Sequence, residues 1–165
     1  MENNYFQGTT EHPYHISVGA VVRNARGEIC CHYFDRLTHS SVGTFENLYL
    51  LMRETIEPGE SIETCLARGL MEEFGMEAKL VSYLGSIVSR FPVLGTETMI
   101  EKTTLYFLCD YLSVDETKRK VGDVESGSVI TWLPAEELIA KMKEQGIRLG
   151  REDADESVIL ERLKK

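Results

Sequence analysis

Residues 54–76 read ETIEPGESIETCLARGLMEEFGM, and this stretch decides how the rest of the chain is read. Pro58-Gly59 makes a turn, after which Ile62, Cys65, Leu66, Leu70 and Phe74 recur at helical spacing until Gly75 ends the run. At about 100° per residue, Glu72 and Glu73 project from neighbouring positions one turn beyond Gly69. Two adjacent carboxylates that cannot both face a core, with Glu60 at the loop–helix junction, suit a hard cation such as Mg²⁺.

Strand signals surround this helix. Residues 15–22 are rich in β-branched side chains, residues 23–27 form a turn, and residues 28–34 return as the second arm of a hairpin. Residues 35–45 are polar and read as a loop, and residues 48–52 form a short apolar strand leading to a charged loop at Arg53 and Glu54. Beyond the helix, residues 78–90 and the strongly β-prone run 102–112 (KTTLYFLCDYL) are strands, and residues 113–122 a charged connection. Residues 128–133 are a last strand, Pro134 opens a helix that stops at Gly146, and residues 153–165 read as a short terminal helix. Strands flanking a central helix predict an α/β domain with a mixed sheet between helices.

The chain has 165 residues, one domain's worth, and its net charge of −9 argues against a nucleic-acid backbone as main partner. That charge leaves room for a phosphorylated small molecule, because a divalent metal bridges acidic protein and acidic substrate. Plain solubility accounts for the charge equally simply. No apolar run approaches the length of a membrane span, and no secretory signal is visible. Cys30, Cys31, Cys65 and Cys109 show no zinc spacing, so buried reduced thiols in a cytoplasmic protein are expected. The first eight residues, MENNYFQG, are set aside as an expression-tag remnant, which leaves residues 9–165 as a single domain.

The stretch 54–76 resembles the Nudix box, G-x5-E-x7-R-E-U-x-E-E-x-G-U with U a bulky apolar residue. Glu60 takes the first Glu position, Arg68 the Arg, and Leu70, Glu72, Glu73, Gly75 and Met76 follow in order, while Glu54 replaces the first Gly and Gly69 the Glu after Arg. The resemblance implies the Nudix fold, an α/β/α sandwich with a mixed central β-sheet. It implies a hydrolase that cleaves a pyrophosphate bond in a nucleoside diphosphate-linked substrate by metal-activated water, with Mg²⁺ or Mn²⁺ as cofactor. Carried over residue by residue, it makes Glu72 and Glu73 metal ligands, and gives Glu60 and Arg68 a structural ion pair between loop and helix, framed by Gly59 and Gly75. It allows a homodimer.

Glu54 is the favoured replacement for the carboxylate absent at Gly69, since its loop faces the metal in the resembled family. Glu57, Asp123 and Glu125 are further candidates, and a solvated surface charge is an equally simple account of Glu54. A helical glycine costs about 1 kcal/mol against alanine, so either a close backbone approach or a changed site has to offset Gly69. Arg53 and Arg90 are the substrate-phosphate candidates, with Tyr33, Phe34, Phe45 or Phe91 for stacking and His39 near a leaving group; aromatics on strands are more often core. The rival reading is a catalytically impaired module that binds a nucleotide or a protein without cleaving it.

Overall fold

The structure, a computed structural model, describes residues 3–40 and 43–164. Seven strands, β1 (Tyr14–Arg23), β2 (Glu28–His39), β3 (Gly43–Leu50), β4 (Met52–Thr55), β5 (Met76–Pro92), β6 (Met99–Val114) and β7 (Val129–Pro134), pair with helices α1 (Ile62–Phe74), α2 (Ala135–Leu149) and α3 (Ser157–Leu160) among the described residues. The sheet order is β3-β2-β1-β6-β5, with β4 on β1 and β7 on β2. β1 runs parallel to β6 over its whole length and antiparallel to β4, so the sheet is mixed.

β1 and β2 register only where their hairpin closes, Arg23 opposite Ile29. Past that point β1 takes β4 as its neighbour while β2 takes β3 and β7, and the two halves diverge into a cleft. Alternation along β1 divides the core. Val18, Ala20 and Val22 pack with Met52 against Leu66, Leu70 and Phe74 of α1. Val21 packs with Leu51, Tyr106 and Leu108 against Leu138 and Met142 of α2 and Ile159 and Leu160 of α3. Helices therefore cover both sheet faces, the α/β/α arrangement expected.

α1 starts where Ser61 Oγ accepts the Thr64 N–H, and ends at Gly75, whose φ of 63° is left-handed. A Cβ there would lie 2.0 Å from the Asp115 carbonyl oxygen, so only glycine fits.

Several expectations are corrected. Residues 35–39 and 43–45 are strand rather than loop, because Arg36 pairs with Glu46 and Leu37 with Phe45 across β2 and β3; residues 41–42 of that predicted loop lie outside the described residues. Arg53 and Glu54 sit in β4, paired with Gly19 and Val18, rather than in a loop. α2 passes through Gly146 and stops at Gly150, whose φ is 61°. Gly146 answers a contact instead, since a Cβ there would meet Asp155 Cβ at 2.8 Å. The terminal helix is divided into a 3-10 turn at Glu152–Ala154, α3, and a 3-10 turn at Glu161–Lys164, with Lys165 outside the described residues.

Described residues among the first eight touch the domain. Asn4 Nδ2 donates to the Ile56 carbonyl at 2.9 Å, Ile16 N donates to the Phe6 carbonyl at 2.9 Å, and Phe6 rests on the α1-side core. Met1 and Glu2 lie outside the described residues.

Candidate active site

Arg68 ties the approach segment to α1. Its Nε and one terminal nitrogen donate to the two Glu60 oxygens at 2.8 and 3.0 Å, and the same nitrogen donates to the Thr55 carbonyl at 2.9 Å. This fork holds the Glu60 carboxyl down to about 2, with its backbone bond from Glu57 adding to the effect. The other terminal nitrogen lies 3.3 Å from Glu54 and 3.9 Å from both Glu57 and Glu72. One guanidinium thus faces four carboxylates.

Gly69 is the reason β4 approaches α1 so closely. A Cβ at position 69 would lie 2.7 Å from Glu54 Cβ, 2.9 Å from Met52 Sδ and 3.2 Å from Glu54 Cγ. The Glu54 side chain therefore crosses the helix where a residue-69 side chain would start. Burial pushes the Glu54 carboxyl above its ordinary value; Arg68 and the Thr55 N–H oppose this, and Glu72 adds to it.

Glu72 and Glu73 take different surroundings. Glu72 is partly exposed between Arg68 and Lys120, 3.9 and 3.8 Å away. Glu73 is buried, with its Oε2 2.6 Å from His32 Nε2, and His32 Nδ1 is 2.6 Å from Ser128 Oγ. Arg119 closes this network, donating to Ser128 Oγ at 2.8 Å and to the carbonyls of Glu73, Glu125 and Ser128. Burial lowers the His32 pKa to about 3, so the ring is neutral, and burial followed by Glu125 and Glu54 raises that of Glu73.

The cleft between the diverging sheet halves holds a cavity of about 440 Å³ that includes Arg53, Lys102, Glu73, His32, Phe34 and Phe91 in its wall. Of the substrate-phosphate candidates, Arg53 reaches it and Arg90 does not: Arg90 lies exposed on β5 against Glu101, at 3.0 Å. Phe34, Phe45, Phe91 and His39 line it, as does Glu125, whereas Tyr33 stacks on Tyr49 outside. Asp123 is held by Lys120 at 3.3 Å.

Lys102, His32, Ser128, Arg119 and Glu156 were not singled out from sequence. His32 had a usable signal, since it shares its strand face with Cys30 and Phe34 in an inward-pointing alternation. Lys102 opens the most β-prone run and lies on the face of the buried Thr104 and Tyr106.

A NUDIX domain model matches residues 13–152. The chain belongs to the NUDIX family. Among solved structures, a NUDIX hydrolase from Nitrosomonas europaea is similar over 78% of this chain and 77% of its own, at 19% identity and a TM-score of 0.56. The MutT protein from Methanosarcina mazei Go1 is similar over 94% and 96%, at 23% identity and a TM-score of 0.57. These identities carry the fold and nothing finer. No curated protein matches.

NUDIX proteins generally use divalent metal ions. The donors near α1 fit such an ion in kind: Glu54, Glu72 and Glu73 offer hard carboxylate oxygens, and burial raises the pKa of two of them, Glu54 with Glu72 adding to it and Glu73 with Glu125 and Glu54 adding. Among the described residues, no three His, Cys, Asp or Glu side chains already stand close enough to cage an ion. No helix of the described residues is long and apolar enough to cross a membrane.

Proposed function

We propose that the protein is a Mg²⁺- or Mn²⁺-dependent pyrophosphohydrolase acting in the cytoplasm on a nucleotide-type diphosphate. Glu54, Glu72 and Glu73 hold the metal, with Glu54 standing in for the carboxylate absent at Gly69. The observation that carries this reading is the 2.7 Å approach of a residue-69 Cβ to Glu54 Cβ: the stem of an acid from β4 runs where a side chain at the family's helix-ligand position would start. When bound, the ion neutralises phosphate charge and acidifies a water.

The chain's own residues supply the rest. Arg68 fixes the Thr55 carbonyl and Glu60, which sets the β4–α1 spacing that Glu54 needs. His32 and Ser128 orient Glu73, and Arg119 anchors the segment that carries Glu125. Arg53 presents its charge to the cavity, facing the phosphates.

A second reading, a binding module that does not cleave, is favoured by the engagement of Glu73 with His32 instead of with Glu54 and Glu72. The test is hydrolysis of nucleoside diphosphate sugars, dinucleoside polyphosphates, oxidised nucleoside triphosphates and capped RNA with Mg²⁺ or Mn²⁺. Release of a phosphorylated product from one class supports the enzyme; silence across the panel, with a nucleotide bound, supports the module.

A further inference from the structure

Lys102 has an environment that the reading above does not use. β1 pairs with β6 so that His15 is opposite Lys102, and with β4 so that Ser17 is opposite Thr55 and Gly19 opposite Arg53. Residues 15, 17 and 19 share one strand face, so Lys102, His15 and Arg53 gather on the cavity side of adjacent strands, and all three line the cavity.

The acids nearby are engaged. Glu156, buried, accepts from Tyr106 Oη at 2.5 Å and from Leu51 N at 2.8 Å, and lies 3.6 Å from Arg53 Nε. Asp153 is held by Arg151 at 2.6 and 2.8 Å, and Glu73 by His32. His15 is held between Thr55 Oγ1, at 3.0 Å, and the Gly8 N–H, at 3.2 Å. The Lys102 side chain alone of this group makes no hydrogen bond or ion pair among the described residues. A half-buried ammonium beside an arginine, opening into a cavity and lacking a counter-ion, is a site awaiting an anion.

We propose that Lys102 and Arg53 form the floor of a subsite for a phosphate group of the ligand, with the organic group of that ligand lying on Phe34, Phe45 and Phe91. The fork of Arg53 and the point charge of Lys102 suit a tetrahedral polyanion. The three rings form an apolar wall on the same cavity, which selects a phosphorylated ligand with a flat or apolar organic part over a bare sugar phosphate. This subsite rests on the proposed function only in taking the ligand to be a diphosphate.

Burial, and then Arg53, lowers the pKa of Lys102 to about 7, against the opposing pull of Glu156, Asp153 and Glu73. An anion bound at Lys102 favours the ammonium, so binding above neutral pH takes up a proton.

The test is calorimetric titration of metal-free protein with sodium pyrophosphate at pH 8, in two buffers of different ionisation enthalpy. Wild type binds with proton uptake. Lys102→Met weakens binding by about tenfold, the loss of one charge-assisted contact, and removes the uptake, while Arg90→Gln leaves both unchanged. Because Lys102 has no protein partner, its replacement leaves no group unpaired, and an unaltered melting curve verifies the fold. Pyrophosphate binding that Lys102→Met leaves intact, or none to wild type, overturns the subsite. Metal and turnover are absent from this titration: a protein that binds pyrophosphate through Lys102 but cleaves nothing retains the subsite and loses the proposed reaction.

Discussion

Gly69 of α1 and Glu54 of β4 occupy a shared space: the helix lacks a side chain at the point where the strand's carboxylate stem crosses it. The two departures from the Nudix box thus pack against each other, and Gly69 has a packing reason.

Gly69→Ala gains about 1 kcal/mol of helix propensity but forces Glu54 and Met52 away from α1, an overpacking cost of about 1–3 kcal/mol. Net destabilisation is expected in urea unfolding. Pairing it with Glu54→Gly, which removes the Cβ it would strike, is expected to recover part of the loss, a coupling that a double-mutant cycle reads directly. Gly69→Glu is expected to lower turnover, because the space is already filled.

Removing Arg68 takes the guanidinium from Glu60, Glu54 and the Thr55 carbonyl, leaving the two carboxylates only one backbone N–H each, from Glu57 and Thr55. Arg68→Ala is expected to cost about 2–4 kcal/mol in urea unfolding, and Arg68→Lys, which cannot serve Glu60 and Thr55 with one planar fork, to recover only part.

Glu60 gives this clamp a pH signature. Its pKa falls from 4.5 in the unfolded chain to about 2 in the folded one, so its contribution is fully present above pH 4.5 and is lost as pH drops toward 2. Glu54 and Glu73, with raised values, contribute in the opposite sense. Subtracting the stability profile of Glu60→Gln from that of wild type isolates the Glu60 slope, expected between those two pH values and much reduced in an Arg68→Gln background, where the Glu57 N–H still favours the carboxylate.

Glu156 anchors α3 beneath the cavity through Tyr106, Leu51 and Arg53. Glu156→Ala strands a buried arginine and is expected to cost about 3–5 kcal/mol in thermal unfolding. Tyr106→Phe, which removes one donor to that carboxylate, is expected to cost about 1.5–3 kcal/mol.

The α1 helix was legible because its signals are local: an apolar stripe, a serine cap and a left-handed glycine all lie within one stretch. The Arg68–Glu60 pair followed from the family resemblance. The cavity was not legible, since Arg53, Lys102, His15 and Glu156 are brought together by strand pairings across most of the chain. Arg90 misled for the same reason: its β6 partner, Glu101, could be identified only from the β5–β6 register. Strand ends were misjudged at residues 35–45, where cross-strand partners rather than local polarity keep the backbone extended.

Metal binding by the β4 carboxylate is read by titration with Mn²⁺ followed by electron paramagnetic resonance. Wild type, Glu54→Gln, Glu73→Gln and Arg90→Gln are compared at one pH. Glu54→Gln and Glu73→Gln are each expected to lose about tenfold or more in affinity, in line with the loss of a carboxylate from a metal site, while Arg90→Gln matches wild type. A Glu54→Gln titration that overlays wild type while Glu73→Gln is weakened would contradict this, leaving Glu54 as a packing residue beside Gly69.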